Sequence, residues 1–478
     1  MQTLNIKSKE LLYQSISRNI EHQISNDVLK TGDKLPSIRM ICRQHGVSMS
    51  TAQQAYYDLE KKSMIESRPQ SGYYVSTSSR KQMAMPEVSK PTIKPQFKKV
   101  DEIFASLHNP ASLKDITMFS IGTPAIELLP VAKLNKALIQ AMREIRGSGV
   151  RYDSTQGNEK LRKQIAKWSF LWQGRLTDHD IITTAGCISS IAFCFSALTQ
   201  RGDTIAVESP CFFGILQLAQ AHGLNVLEIP THPQTGIEID ALKKVIQHKK
   251  IKLVLLVSNF SNPLGSLMPD EHKKEVVRLL SHADIPILED DIYGELYFGK
   301  NRPTCCKTYD TSGHVVWCSS VSKTLAPGYR VGWIAPGKYK DQVLKMKLYH
   351  TLSSPGITHE AIANFLENGR FESHLRKLRH TLHTTYLNYV RVIGESFPPG
   401  TRLSRPQGGL SLWIELDKKI NTIDLHHTAM KQKISIAPGS MFTLRDQYKN
   451  SMRLAYGMVW NESLEHKLRL LGKLIKTS

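Results

Sequence analysis

The chain has 478 residues, with 63 Lys+Arg against 42 Asp+Glu, 41% hydrophobic and 8% aromatic residues. This balance excludes a disordered, collagen-like or coiled-coil chain, and the length predicts one large domain with a smaller one, or two comparable domains. A formal charge of +21 favours an anionic partner, although a solvated basic surface gives the same sum.

The N-terminus, MQTLNIKSKELLYQ, lacks an apolar core and a small-residue cleavage site, so no secretory signal is expected. Leu12, Ile16, Ile20 and Ile24 recur every four residues and predict one apolar face of a first helix. Gly32-Asp33-Lys34-Leu35-Pro36 then breaks the chain, and Ser37 is placed to cap a short helix, Ile38 to Gln44, that ends at Gly46. Ser48 is placed to cap a third helix. Its Ala52, Ala55, Tyr56 and Leu59 line the inner face and leave Ser50, Thr51, Gln53, Gln54 and Tyr57 outside. Two β-like runs, Met64-Ile65-Glu66 and Tyr73-Tyr74-Val75, flank Arg68-Pro69-Gln70-Ser71-Gly72 and predict a hairpin with an arginine at its tip. A helix that enters the major groove needs small or amide side chains near its N-terminus to reach base edges. Three-helix bundles with no DNA role share this periodicity, so the pattern alone leaves the partner open.

The segment GDKLPSIRMICRQHGVSMSTAQQAYYDLEKKSMIESRPQSGYYV resembles the winged helix-turn-helix of GntR-family transcription regulators, in its LPS-x-R, VS-x-x-T and SG-x-x-V signatures. That resemblance implies that Ser37, Arg39, Ser48, Ser50, Thr51, Gln53 and Gln54 face double-stranded DNA, with Arg68 and Gly72 at the wing. Met49 and Ser50 stand where many members carry Arg or Lys, which bears on base preference. Lys62-Ser63-Met64 replaces the usual Gly before the wing, which bears on its angle.

Residues 78 to about 114 form a polar stretch and read as a linker. Arg80, Lys81, Lys90, Lys94, Lys98 and Lys99 outnumber Glu87, and Pro86, Pro91, Pro95 and Pro110 interrupt any helix. A flexible chain of this length spans roughly 30–35 Å. The uncharged run Ile181 to Gln200 approaches membrane-spanning length. Its Thr183-Thr184-Ala185-Gly186 and two serines instead suit a buried strand, a Gly turn and a buried helix. The seven cysteines show no CxxC pair and no Cys/His ligand spacing, so they read as reduced packing thiols with no metal site.

From residue 115 onward, strand-like runs alternate with amphipathic helices, which predicts an α/β domain. Val254-Leu255-Leu256-Val257 runs into Ser258-Asn259-Phe260-Ser261-Asn262-Pro263-Leu264-Gly265. Ile285-Pro286-Ile287-Leu288 runs into Glu289-Asp290-Asp291-Ile292-Tyr293. Val315-Val316-Trp317-Cys318 ends in Ser319-Ser320-Val321-Ser322-Lys323, with Arg330 seven residues later. Polar groups at the carboxyl ends of successive strands converge where α/β sheets bind ligands. A lysine can form a Schiff base, a buried carboxylate can keep a pyridine nitrogen protonated, Asn and Tyr can bond a phenolate oxygen, and Ser with Arg can grip a phosphate.

Singly these are common strand ends and turns; their order and spacing carry the reading. SNPLG, EDDIY and SVSKTLAPGYRVGW resemble the fold-type-I aminotransferases that bind pyridoxal 5′-phosphate (PLP), from about residue 115 to 475. The resemblance implies that Lys323 carries PLP as a Schiff base, Asp290 pairs with the ring nitrogen, and Asn262 and Tyr293 bond the ring hydroxyl. Ser320, Ser322 and Arg330 would hold the phosphate with backbone N–H groups after Gly186, Cys187 among them, because a helix N-terminus suits an anion. Cys187 and Ile188 stand where many relatives have a hydroxyl or glutamine, which reduces side-chain help to the phosphate. Phe212 would stack on the pyridine face, and Tyr152, in RYDSTQGNEKLR, would reach the phosphate of a neighbouring subunit. Arg453 would bind a substrate or effector α-carboxylate by a bidentate fork, a structural ion pair being its rival role. Asp291 reads as a surface-like neighbour of Asp290.

Taken together, the chain is similar to the MocR/GabR-type subfamily of GntR regulators. The implied organisation is a winged helix-turn-helix over 5–77, a linker over 78–114 and an aminotransferase-like α/β domain over 115–478. The implied function is a cytoplasmic, homodimeric, PLP-dependent transcription regulator that senses an amino compound. An aminotransferase with an autoregulatory DNA-binding module is the alternative, and the resemblance implies at most weak or half-reaction transamination.

Overall fold

The computed structural model describes residues 12–26, 28–62, 64–68, 71–76, 83–91, 115–248 and 250–477. Expectations for Ser63, Pro69, Gln70, Arg80, Lys81, Lys94, Pro95, Lys98, Lys99 and Pro110 lie outside these residues. The chain divides into two compact units, residues 1–83 with 386–397 and residues 84–385 with 398–478.

In the smaller unit, α1 (Leu12–Ser25) buries Ile16, Ile20 and Ile24. Leu12, expected on the same face, is exposed, because it opens the helix ahead of the core. The Ser37 hydroxyl accepts from Met40 N at 3.2 Å to start α2 (Ile38–His45), which ends at Gly46 in the left-handed region, φ +62°. Ser48 caps α3 (Met49–Lys61) by accepting from Thr51 N at 3.2 Å. Ala52, Ala55, Tyr56 and Leu59 are each 0% exposed, so the inner face of α3 is the one its periodicity predicts. Two antiparallel strands, β1 (Ile65–Arg68) and β2 (Gly72–Val75), pair Ile65 with Val75 and Arg68 with Gly72. Where a glycine was expected before this hairpin, Lys62 leaves α3 at φ −79° and needs no left-handed residue. It pairs there with Glu21 and Asp58.

The larger unit is built on an eight-stranded sheet. Its strands are β3 (Ile182–Thr184), β4 (Thr204–Ser209), β5 (Asn225–His232), β6 (Gly236–Ile237), β7 (Leu253–Leu256), β8 (Ile287–Asp290), β9 (Val315–Ser320) and β10 (Gly332–Ala335). The order is β3-β10-β9-β8-β7-β4-β5-β6. The run from β9 to β5 is parallel, and β10 is antiparallel to both β9 and β3. Both faces are buried. Leu253 and Leu255 enter one core with Leu288 and Val316, while Val254 and Leu256 enter another with Ile287 and Val315. This period-2 division explains why the strands read as continuous apolar runs. The uncharged run from Ile181 is β3, a turn at Gly186 with φ +97°, and a buried helix, α4 (Cys187–Leu198). Among the described residues no helix is long and apolar enough to cross a membrane. A four-stranded antiparallel sheet follows, β11 (Arg402–Leu403), β12 (Ser411–Glu415), β13 (Ala437–Pro438) and β14 (Ser451–Ala455), in the order β11-β12-β14-β13.

Two expectations around residue 290 change. The strand expected at Ile285–Leu288 runs from Ile287 to Asp290. Pro286 has no N–H for the ladder, and Glu289 is kept in the strand because its carboxylate accepts from Ser258 Oγ, Cys306 N and Lys307 N. Asp291 is not surface-like but 1% exposed. Its oxygens take Asn259 Nδ2 at 2.8 Å, Trp317 Nε1 at 3.1 Å and the Arg302 guanidinium. Arg302 is itself buried, so removing the carboxylate leaves its charge to Glu295 alone, at 2.7 Å, and leaves Trp317 Nε1 without its acceptor. Asp291→Ala is therefore expected to cost about 3–5 kcal/mol of unfolding free energy, measured by urea denaturation followed by tryptophan fluorescence.

Candidate functional site

Each parallel strand delivers polar residues from its carboxyl end. Asp290 is the last residue of β8 and Ser320 the last of β9. Asn262 follows β7, Phe212 follows β4, and Gly186 follows β3. The fold thus brings together residues far apart in the chain, as Gly186 and Arg330 are at 144 positions.

Lys323 ends a short 3-10 turn after β9, in which the Ser320 hydroxyl accepts from Ser322 N at 3.2 Å. Its Nζ donates to Gly122 O at 2.7 Å and lies 6.0 Å from the centre of the Tyr293 ring. Burial, reinforced by the Arg453 charge and opposed by Asp290, pulls its pKa down to about 8. Asp290 is 7% exposed, and burial raises it to about 6 even though the Cys187 thiol and Ile292 N donate to Oδ1 at 3.2 and 3.1 Å. Cys187 thus turns its side chain to the carboxylate, in keeping with reduced side-chain help to a phosphate. Tyr293 accepts from Asn262 Nδ2 at 3.2 Å, and burial pushes its hydroxyl up to about 12.

At the other end of the site, Arg330 sends Nη1 to Ser322 Oγ at 3.3 Å and Nη2 to Ala185 O at 3.2 Å. A Cβ on Gly186 would sit 2.3 Å from Arg330 Nη2, so only glycine leaves the guanidinium over the start of α4. Bare amides, a guanidinium and two hydroxyls at this end are the donors a phosphate would need, so the donor set fits PLP. Phe212 precedes a helix, α5 (Phe213–Ala221), and is half-buried with its ring 4.6 Å from that of Phe213.

Arg453, on β14, is 2% exposed. Nη1 donates to Asn262 Oδ1 at 3.1 Å and Nη2 to Ser120 O, both neutral, and Nε has no partner. Among the described residues Arg453 has no ion pair, which removes the structural pair as its role. Burial pulls its pKa down to about 10. Tyr152 is 83% exposed, and among the described residues its hydroxyl has no hydrogen bond.

Sequence reasoning missed Gly122 and Ser120, which give backbone carbonyls to Lys323 and Arg453. A backbone acceptor leaves no residue-type signal. It also missed Glu208, next to the end of β4, whose burial raises it to about 8 while Oε2 accepts from Val257 N at 2.8 Å.

On the smaller unit, Ser37, Arg39, Ser48, Ser50, Gln53, Arg68 and Gly72 are exposed, and Thr51 and Gln54 are half-buried. Among the described residues Arg39 makes no ion pair, whereas Arg68 is held by Glu66 at 2.8 Å and stacks 4.2 Å from the Tyr74 ring centre.

The family of class I and II aminotransferases matches residues 114–469, and the gntR family of bacterial regulatory proteins matches residues 12–75. The Escherichia coli (strain K12) HTH-type transcriptional regulator YjiR is 35% identical over 97% of this chain and 98% of its own length. Another from the same organism, YdcR, is 31% identical over 97% and 99%. Among solved structures, the α-aminoadipate aminotransferase LysN from Thermus thermophilus has a TM-score of 0.71 at 26% identity, covering 77% of this chain and 94% of that one. The Pyrococcus horikoshii kynurenine aminotransferase has a TM-score of 0.73 at 26% identity, covering 79% and 95%.

An amine attacks an aldehyde only when it is unprotonated. With Lys323 lowered to about 8, PLP uptake by the cofactor-free chain should speed up as pH rises from about 7 through about 9 and level off above. Stopped-flow absorbance measures it, and Lys323→Ala should leave no PLP adduct after borohydride reduction.

Proposed function

Because the chain belongs to the class I and II aminotransferase family and carries a gntR-family DNA-binding domain ahead of it, the MocR-type architecture, we propose that it is a DNA-binding transcription regulator whose PLP domain senses an amino compound bearing a carboxylate. Its family works with PLP as cofactor. The observation that carries the proposal is Arg453. A buried guanidinium bonded to neutral acceptors alone, with Nε free, suits a carboxylate brought by a ligand.

In this reading the cofactor, bound on Lys323, supplies an electron sink next to the amino group of the ligand. Asp290 holds a proton at the pyridine nitrogen, and Cys187 orients that carboxylate. Asn262 and Tyr293 bond the ring hydroxyl and Phe212 covers the ring face. The amides at Gly186 and Cys187, with Ser320, Ser322 and Arg330, hold the phosphate. Arg453 takes the carboxylate of the amino compound and so fixes its amino group toward Lys323. On the smaller unit, the exposed ends of α2 and α3 read base edges and the β1–β2 hairpin follows the backbone. A ligand shifts DNA binding only through different affinities for two arrangements of the protein.

The experiment is selection of genomic DNA fragments by the full chain, with and without PLP and with amino-acid pools. Fragments whose retention changes with PLP or the pools support the proposal, and Arg453→Gln should abolish the response to the pools while leaving PLP uptake intact. Binding should weaken with salt at a log–log slope of about −0.9 per phosphate contacted. Arg39→Ala and Gln53→Ala should relax sequence preference, whereas changes at Lys94, Lys98 and Lys99 should weaken all sequences alike. The likeness to working aminotransferases favours a second reading, and sustained turnover of amino donors with 2-oxo acids, without a ligand effect on DNA binding, would establish it instead.

We further propose a homodimer made by the larger unit, with Tyr152 completing the phosphate site of the other protomer. Val150 and Tyr152, two positions apart, are 85% and 83% exposed, which is unusual for large apolar side chains and supports an interface there. Mixed dimers of Tyr152→Phe and Lys323→Ala chains should regain a normal PLP site, because both lesions fall in one site and the other stays intact. Mixtures that bind PLP only as weakly as the Tyr152→Phe parent would show that the residue acts within its own chain.

A further inference from the structure

Residues 84–91 follow the DNA-binding domain in the chain and fall in the polar stretch expected to be a linker, yet Pro86, Ser89 and Pro91 are buried within the larger unit. Leu403 N donates to Ala84 O at 2.9 Å, Arg402 pairs with Glu87 at 2.6 Å, and Glu87 N donates to Glu415 Oε2 at 3.1 Å. These contacts tether the segment to the small sheet. Ser89 does something different. Its hydroxyl accepts from Thr231 N at 2.9 Å and lies beside the Tyr448 hydroxyl.

From Tyr448 the hydroxyls continue to Ser209, at 3.0 Å, and from Ser209 to Glu228 Oε2, at 2.6 Å. Donor accounting fixes the direction. Thr443 Oγ1 and Leu444 N also donate to Glu228, at 2.8 Å each, so its carboxylate serves only as acceptor and takes the Ser209 proton. The Ser209 oxygen is then the acceptor for Tyr448, whose own oxygen turns its lone pairs to the side where Ser89 lies. The Tyr448 and Ser209 hydroxyls thus point their protons in one direction, ending on a buried carboxylate, which is the arrangement in which such bonds reinforce one another. Ser209 is bound a second time, because its N–H donates to Thr231 Oγ1 at 3.0 Å. Thr231 and Tyr448, the two side chains Ser89 lies against, therefore also hold Ser209, together with Glu228. Three residues later stands Phe212, with Cys211 N tied to Phe442 O at 2.8 Å between them.

We propose that Ser89 is a positioning residue for the Ser209–Phe212 loop, so that the segment leaving the DNA-binding domain and the aromatic ring over the cofactor are set by one hydrogen-bonded unit. The inference rests on the reading of Phe212 as the ring that covers PLP. By linkage, whatever PLP or an amino ligand does to Phe212 is felt at Ser89, and the reverse.

The test uses the full chain, with the PLP dissociation constant and the visible circular dichroism of the bound cofactor as readouts. Ser89→Ala leaves Thr231 N without its partner and should weaken PLP binding about 3- to 10-fold and change the dichroism. Tyr448→Phe should act in the same direction and serves if Ser89→Ala folds poorly, whereas Ser89→Thr, which keeps the hydroxyl, should restore both readouts. Glu87→Ala, which loosens the tether at the sheet alone, should stay within about 2-fold of wild type. Wild-type behaviour of Ser89→Ala and Tyr448→Phe, or an equal loss in Glu87→Ala, overturns the proposal. A wild-type chain that takes up no PLP refutes the cofactor reading itself and this inference with it.

Discussion

Carboxylates buried in and just beyond the β-strands are the constraint on which the larger unit depends. A carboxylate taken out of water needs donors or a cation, and each of these acids finds a different solution. Asp291 is matched by Arg302, Glu289 by two backbone amides and a serine, and Glu228 by two hydroxyls and an amide. Those three hold the framework. Asp290 receives only a thiol and one amide, with the Lys323 charge nearby. It is left to be completed by a group that brings a proton or a positive charge.

The same reasoning applies to the cations. Lys323 and Arg453 lie in one site with Asp290 as the nearby carboxylate, and burial lowers both. Two cations sharing one carboxylate leave the site short of negative charge. A phosphate at the start of α4 and a carboxylate at Arg453 would supply it, so the electrostatics of these residues already outline the chemistry of what they bind. The site is rigid because it hangs from parallel strands whose two faces are both packed.

The smaller unit is held by a different set of interactions. Two serine caps and one left-handed glycine set where its helices begin and end, and the apolar face of Ala52, Ala55, Tyr56 and Leu59 holds α3 against α1. The exposed side of α3 is polar and suits a backbone of phosphates.

Much of this was legible in the amino-acid sequence. Helix periodicity, cap residues and glycines depend on neighbours within a few positions, so α2, α3 and the hairpin follow from local order, and the chemistry-bearing residues after the strands follow from their types and spacing. Proximity across the chain is not local. Whether Asp291 faced water or Arg302 depended on a residue eleven positions later and on Trp317. Whether Arg453 had a counter-ion depended on Asn262 and a carbonyl at Ser120, and the docking of Ser89 on Thr231 and Tyr448 joins three distant segments. Burial and hydrogen-bond partnership are properties of packed surfaces, so the sequence determined which groups were available and where each element began and ended, while only the tertiary structure decided which of those groups were left without a partner.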